Sequence, residues 1–388
     1  MKQTITTLAI IFSISITFAQ SNIKTPDYVN FTMDSITKVS LINTLDALFI
    51  ELKQGKINTD FLTPNNADLT KSVLQDLMDY ELKKDSITSK LEDKQLINIY
   101  PVSKNEQFLT IIYTQPNNTN LPKIQYIFNL VATTINNKTT FAIPLDYLTR
   151  NWKIEKVGNT TYHFTDQINV KRAEIFDQKH KMIASNLGII PEELDFYMCD
   201  NYQEILKLLG FEYSLNKNGN YRNGYGVVAK TIFSIMNNED FSHDMLHYYS
   251  GQLYDKDDRN WVTEEGLAYN WGNAYYTDQN GEMISQERLV NELKKYLLEY
   301  PNTNIFDLFW NNTKIFNRIA TEISVRPVIS GIILNEIEKE KGLTGINKMM
   351  TCGRAKTMIS YLKSTEELIG INRDNFDLKV SELLEKSY

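Results

Sequence analysis

The hydrophobic and polar positions in the first half of the chain predict two helices followed by several strands. Apolar residues recur every three to four positions from Asp34 to Leu52, which indicates a helix that ends at Gly55. A second helix is predicted over Leu69–Lys84. Segments rich in β-branched and aromatic residues then predict strands: Phe108–Thr114, Lys123–Thr133, Phe141–Ile143 and Trp152–Phe164.

The second half of the chain changes to a mainly helical pattern. The change falls between Asp166 and Val170, which indicates a domain boundary there. Helices and then strands are typical of a small α+β domain, which we place at residues 30–166. A mostly helical domain follows over residues 170–388, so the predicted fold class is α+β. Helices are predicted in that domain, among others, at Glu287–Tyr300, Val328–Lys341 and Asp374–Lys386.

The order of elements in residues 30–166 resembles the cone-shaped nuclear transport factor 2-like fold. The resemblance rests on element order and implies a small α+β cone. A small-ligand or dimerisation module is one hypothesis for this domain. His163 stands isolated there, and no cluster of polar side chains accompanies it in the sequence.

The stretch from Phe241 to Tyr276 holds the chemistry that points to a function. Two of the four histidines of the chain, His243 and His247, lie four residues apart in it. Residues at this spacing share one face of a helix, so both imidazoles can bind one zinc ion. A carboxylate from Glu264 or Glu265 can complete the protein's share of the ligands. The alternative is a half-buried helix whose two histidines have no ligand role.

The residues in this stretch resemble the motifs of the gluzincins, the thermolysin-like (peptidase MA-like) superfamily of zinc metallopeptidases. Residues 243–247, HDMLH, are similar to the HExxH motif. Trp261–Ala268, WVTEEGLA, is similar to the signature W-x-x-E-G-x-A, with Trp261 one residue further from the Glu-Gly pair. The resemblance implies a gluzincin-like metallopeptidase fold for residues 170–388.

The resemblance also implies a ligand set, a cofactor and a reaction. In the family the glutamate just before the glycine is the third ligand, which is Glu265 here and not Glu264. Glu264 is then expected to be a solvent-exposed carboxylate at the start of a helix. The implied cofactor is Zn²⁺, and the implied reaction is hydrolysis of a peptide or protein substrate by zinc-activated water. The implied metal ligands are His243, His247 and Glu265.

The position of the general base departs from the family pattern. Family members carry glutamate after the first histidine, and this chain carries Asp244. Aspartate is one methylene shorter, and a displacement of about 1 Å can cost about a hundredfold in rate. Two hypotheses therefore stay open. Asp244 is the catalytic base of a working peptidase, or the chain is an impaired pseudo-peptidase that binds a peptide or a partner.

Charge and composition narrow the class of protein further. A net charge of −7 without a Lys/Arg block argues against a nucleic-acid partner.

Residues 1–19 combine a basic start, an apolar run and small residues at the end, which is typical of a signal peptide. We therefore expect export to the periplasm or the extracellular space, with no membrane anchor after cleavage; the alternative is an uncleaved N-terminal anchor. Cys199 and Cys352 allow either a disulfide or two free thiols.

Overall fold

The computed structural model describes residues 23–83, 92–116, 121–217, 224–235, 238–278, 281–354 and 356–387. It contains both helices and sheets, so the predicted α+β class is confirmed. The described residues form two compact units. One comprises those within Met1–Pro144 and Gly210–Asn218, and the other comprises those within Leu145–Leu209 and Gly219–Tyr388.

The first unit contains two helices and an antiparallel sheet. Helix α1 (Ser35–Lys53) begins where the Asp34 carboxylate accepts hydrogen bonds from the next turn, and α2 (Ala67–Lys83) follows it. The strand order is β1-β2-β3-β4, and β8 pairs with part of β3. The strands are β1 (Asp93–Pro101), β2 (Glu106–Gln115), β3 (Lys123–Ile135), β4 (Lys138–Ala142) and β8 (Phe211–Ser214).

The second unit combines a mixed sheet with helices. Its strand order is β5-β6-β7-β10-β9, with β6, β7 and β10 parallel and the two edge strands antiparallel to their neighbours. The strands are β5 (Lys153–Val157), β6 (Thr160–Phe164), β7 (Leu194–Cys199), β9 (Gly224–Val228) and β10 (Thr231–Ile235). The helices are α3 (Leu145–Thr149), α4 (Val170–Asn186), α5 (Tyr202–Leu208), α6 (Ser242–Leu253), α7 (Trp261–Leu267), α8 (Gln286–Glu299), α9 (Ile305–Asn311), α10 (Val325–Met350), α11 (Thr357–Ile369) and α12 (Phe376–Lys386).

The two units differ from the predicted ranges 30–166 and 170–388. The predicted strand Trp152–Phe164 is the hairpin of β5 and β6, because the chain turns at Gly158, whose φ of 57° suits glycine. Strand β6 pairs with β7, so this hairpin lies in the sheet of the second unit. Conversely, β8 pairs with β3, so a segment of the predicted second domain completes the sheet of the first unit.

Helices α6 and α7 are held in place by the core of the second unit. The Asn260 side chain caps α7, since its Oδ1 accepts from the backbone N–H groups of Val262 and Thr263. The same side chain donates to the carbonyl oxygens of Gly353 and Thr357, both at 3.1 Å. The start of α7 is therefore fixed to the C-terminal helices. The buried face of α6 contains Met245, Leu246 and Tyr249.

Gly266 lets α7 pack directly against α10. A Cβ atom at this position would lie 2.7 Å from Ser330 Cβ and 2.9 Å from Leu334 Cδ1. Gly266→Ala is therefore expected to lower the free energy of unfolding by about 1–3 kcal/mol, because the extra methyl group forces the helices apart. Urea unfolding of the metal-free protein measures this change.

A matched control is Gly251→Ala, which changes a glycine of the neighbouring helix α6. Its Cβ would meet Arg259 Nη1 at an ordinary 3.5 Å. Alanine favours helix by about 1 kcal/mol over glycine, so this variant should unfold at the wild-type urea concentration or a higher one. An equal loss of stability in both variants would contradict the packing explanation.

The structure also bears on the membrane and cysteine predictions. Across the described residues, no helix is both long and apolar enough to cross a membrane. The predicted signal peptide, residues 1–19, lies outside the described residues. Cys199 and Cys352 are both free thiols, which decides between the two alternatives that the sequence left open.

Candidate metal centre

The two histidines of α6 lie on one face of the helix, as their spacing predicts. Their Nε2 atoms are 3.2 Å apart. His243 is 8% exposed, and the rings of Tyr269 and Tyr275 pack against it with centroid distances of 5.6 and 5.7 Å. These two rings restrict the orientation of the His243 imidazole.

Glu265 reaches the histidine pair from α7. Its Oε1 is 3.4 Å from Nε2 of His247, and its Oε2 is 3.8 Å from Nε2 of His243. One donor atom from each of the three side chains lies within 4.8 Å of the other two. The structure therefore brings together the three residues that the sequence named as metal ligands.

The spacing of these donor atoms fits a small divalent cation. Four ligands at 2.0–2.2 Å from a zinc ion in tetrahedral geometry lie about 3.3–3.6 Å from one another. The two Nε2 atoms are 3.2 Å apart, Oε1 of Glu265 is 3.4 Å from one and its Oε2 is 3.8 Å from the other, and these distances are close to that range. Two imidazole nitrogens and one carboxylate are also a usual donor set of hydrolytic zinc sites, which leave one position open. The residues present therefore fit zinc.

The second ring nitrogen of each histidine faces a hydrogen-bond acceptor. Nδ1 of His243 is 2.9 Å from the backbone oxygen of Asn273, and Nδ1 of His247 is 2.9 Å from Oε1 of Glu264. A carbonyl or an ionised carboxylate can only accept, so we assign the proton to Nδ1 in both rings. In the neutral imidazoles each Nε2 then carries a lone pair that is directed at the other.

Three acceptors therefore converge when both histidines are neutral. They are the two Nε2 lone pairs and the Glu265 carboxylate. Such a group is repulsive unless a cation lies among its members. A metal ion satisfies all three donor atoms at once. A proton on Nε2 of His247 can instead bridge the 3.2 Å gap to His243.

The local charges indicate where that proton lies in the metal-free protein. Burial, reinforced by the charge of His247, lowers the pKa of His243 to about 3, so His243 stays neutral. Burial also lowers the pKa of His247. The hydrogen bond to Glu264 and the charges of Glu265, Glu264 and Asp244 outweigh it and raise that pKa. A proton shared by the two rings is therefore favoured on His247 over His243, and bound metal would take the place of such a proton.

Glu264 is buried, so the prediction of a solvent-exposed carboxylate at this position is wrong. It is 6% exposed, and its Oε1 accepts hydrogen bonds from His247 Nδ1 and from Arg259 Nη1 at 2.9 and 3.0 Å. Adjacent helix residues point about 100° apart, so Glu265 faces the Nε2 atoms and Glu264 reaches behind the His247 ring. In the sequence, the sign of this role is only that a second glutamate, Glu264, stands beside the predicted ligand Glu265. No motif assigns that second glutamate a function.

Asp244 directly follows His243 in α6, and one of its carboxylate oxygens is buried. Among the residues that the structure describes, no hydrogen-bond partner reaches its buried Oδ2. Burial raises the pKa of Asp244 to about 6; the charge of His247 opposes the rise, and that of Glu265 adds to it. A buried carboxylate oxygen without a hydrogen-bond partner is unusual in a folded protein, and beside a candidate metal site it is a candidate proton acceptor.

The centre is open to solvent on one side. The side chain of Glu265 is 34% exposed and that of His247 is 27% exposed, whereas that of His243 is 10% exposed. A ligand therefore approaches the three donor atoms from the side of Glu265 and His247.

The chain matches no known protein-family model, and no curated protein is significantly similar to it. The geometry of the described residues is therefore the main evidence for the chemistry of this site.

Proposed function

We propose that this chain is an exported zinc metallopeptidase of the gluzincin type, which hydrolyses peptide bonds. The observation that carries the proposal is the convergence of three acceptors, Nε2 of His243, Nε2 of His247 and the Glu265 carboxylate, at spacings that suit one zinc ion. The likeness of HDMLH and WVTEEGLA to gluzincin motifs supports the same ligand assignment.

The residues of the site would have separate roles in hydrolysis. His243, His247 and Glu265 would hold the metal, and the Nδ1 hydrogen bonds would keep the two Nε2 atoms available as ligands. A bound zinc ion would polarise the substrate carbonyl and lower the pKa of a bound water molecule. Asp244 would accept a proton from that water, since its Oδ2 has no competing hydrogen-bond partner among the described residues.

The same proposal includes the fold of each domain and the cellular location of the protein. Strands β7, β9 and β10 and the helices around them support a gluzincin-like domain over residues 170–388. Two helices beside an antiparallel sheet support a nuclear transport factor 2-like cone for the first unit. The composition of residues 1–19 supports export to the periplasm or the extracellular space, where a peptide or a protein is the substrate.

A second candidate function is a pseudo-peptidase that keeps the metal and binds a peptide or partner without cleaving it. The observation in its favour is Asp244, whose shorter side chain sets the carboxylate back by about 1 Å relative to a glutamate. The ligand set does not depend on this residue. The two candidates therefore predict the same metal content and different turnover.

Metal analysis and peptide cleavage by the purified wild-type protein test the proposal. We expect about one zinc ion per chain and cleavage of a mixed peptide library. A chelator should abolish cleavage, and added Zn²⁺ should restore it. Absence of stoichiometric metal would reject both candidates. Stoichiometric zinc without cleavage of any peptide would reject the peptidase and leave the binding function.

A further inference from the structure

Arg259 and Glu264 form a chain of hydrogen bonds that ends at a ligand histidine. Arg259 Nη1 donates to Glu264 Oε1 at 3.0 Å. His247 Nδ1 donates to the same oxygen at 2.9 Å. One carboxylate oxygen therefore connects the guanidinium to the imidazole, and both contacts are charge-assisted hydrogen bonds, which are shorter and stronger than neutral ones.

The surroundings keep this pair in a fixed position. The Glu264 side chain is 8% exposed and that of Arg259 is 20% exposed, so water screens their interaction poorly. Arg259 directly precedes Asn260, which caps α7 and is held by the carbonyl oxygens of Gly353 and Thr357. The guanidinium and the carboxylate thus stand on one anchored segment of the chain.

The two ligand histidines are supported in different ways. Nδ1 of His243 donates to a backbone oxygen, that of Asn273, which is neutral and does not depend on side-chain identity. Nδ1 of His247 donates to a side-chain carboxylate that is itself held by Arg259. A change in Arg259 therefore acts on His247 and leaves the support of His243 in place.

We propose that Arg259 and Glu264 are a positioning pair that fixes the His247 ring with its Nε2 toward the metal and thereby sets how long the metal stays bound. The inference rests on the metal site of the proposed function. Glu264 holds the proton of His247 on Nδ1, and Arg259 stops the carboxylate from rotating away. Without Arg259, Glu264 Oε1 loses one of its two donors, and the imidazole loses its fixed direction.

The rate at which the metal leaves the protein tests this pair. Wild type and variants are loaded with Zn²⁺, and its release to an excess of chelator is followed over time. Changing a residue that supports a metal-bound histidine usually weakens metal binding about 10–100-fold. We expect Glu264→Gln to speed release by about that factor and Arg259→Gln by about tenfold. Arg259→Lys, which retains the charge, should restore part of the loss.

A double-variant comparison separates positioning from a general loss of stability. If Arg259 acts through Glu264, Arg259→Gln should add little to release once Glu264→Gln is present, whereas independent effects add. The matched control is Lys256→Gln, which removes an exposed cation from the same loop and should leave release unchanged. The absorption bands of bound Co²⁺ should shift in the Glu264 and Arg259 variants and not in the control.

The possible outcomes distinguish this inference from the proposed function. Stoichiometric metal in wild type with equal release rates in all variants would overturn the positioning pair alone. Fully additive effects of the two substitutions would do the same. A wild-type protein that binds no metal would overturn the metal site and, with it, the inference. Slower release in wild type, coupling between the substitutions and partial rescue by lysine would support it.

Discussion

Replacing His247 with alanine is expected to reduce bound zinc from about one equivalent per chain to less than about a tenth of one. Two protein ligands then remain, and the Glu264 carboxylate is left facing a cavity. Glu265→Ala should have the same effect, because its carboxylate is the third acceptor of the group. Elemental analysis after dialysis against a metal buffer measures the loss.

The controls for this prediction separate the ligands from other side chains of the same type. His163→Ala removes a histidine of β6 whose Nε2 contacts Asp195, and it should retain full metal content. Glu264→Ala should weaken binding without abolishing it. The metal-free His247→Ala protein should keep the far-ultraviolet circular dichroism of metal-free wild type, since this side chain is partly exposed. Stoichiometric zinc in His247→Ala or Glu265→Ala would contradict the ligand assignment.

Asp244→Asn is expected to lower peptide cleavage about 10²–10⁴-fold while bound zinc stays at wild-type content. The amide has the size of the carboxylate but cannot accept the proton of the attacking water. Asp244 Oδ2 makes no hydrogen bond to any described residue, so the substitution breaks none there. Initial rates on a cleaved peptide, measured together with metal content, give the result. Asp255→Asn is the matched control, because Asp255 is an exposed aspartate of the same unit.

Asp244→Glu distinguishes the two candidate functions. Glutamate moves the carboxylate forward by about 1 Å, and a shift of that size can change the rate about a hundredfold. In a pseudo-peptidase, wild type and Asp244→Asn are both inert, and only the glutamate variant cleaves. In a working peptidase, wild type already cleaves. A wild-type activity that Asp244→Asn leaves unchanged would show that another group accepts the proton.

The parts of the fold that the sequence predicted are those set by local periodicity. The stripe of apolar residues in α1 and the β-branched runs of β2 and β3 are visible in a short window of sequence. The pairing of β8 with β3 is not, because it joins a strand of four residues to one more than 80 positions earlier. Gly158 could have predicted a turn from the sequence alone, but the aromatic and β-branched residues on both sides of it favoured a single strand.

The candidate site was also predictable from the sequence only in part. The histidine spacing follows from helix geometry, and a resemblance over a few residues selected Glu265. The roles of Glu264, Arg259 and the Asn273 carbonyl depend on how α6 lies against α7 and on the side-chain conformations at that contact. Neither a helical period nor a motif contains that information. The sequence thus indicated the atoms that meet the metal but not those that orient them.

The short strand β8 has a consequence for how the protein can be divided. A fragment that ends at Pro144 would lack β8, and the backbone of β3 around residues 126–128 would lose the partner that pairs with it there. Unpaired strand edges of this kind readily join edges of other molecules. A fragment that begins at Leu145 would carry the β8 segment without its partner strand. The sheet of the first unit is therefore complete only in a chain that contains both fragments.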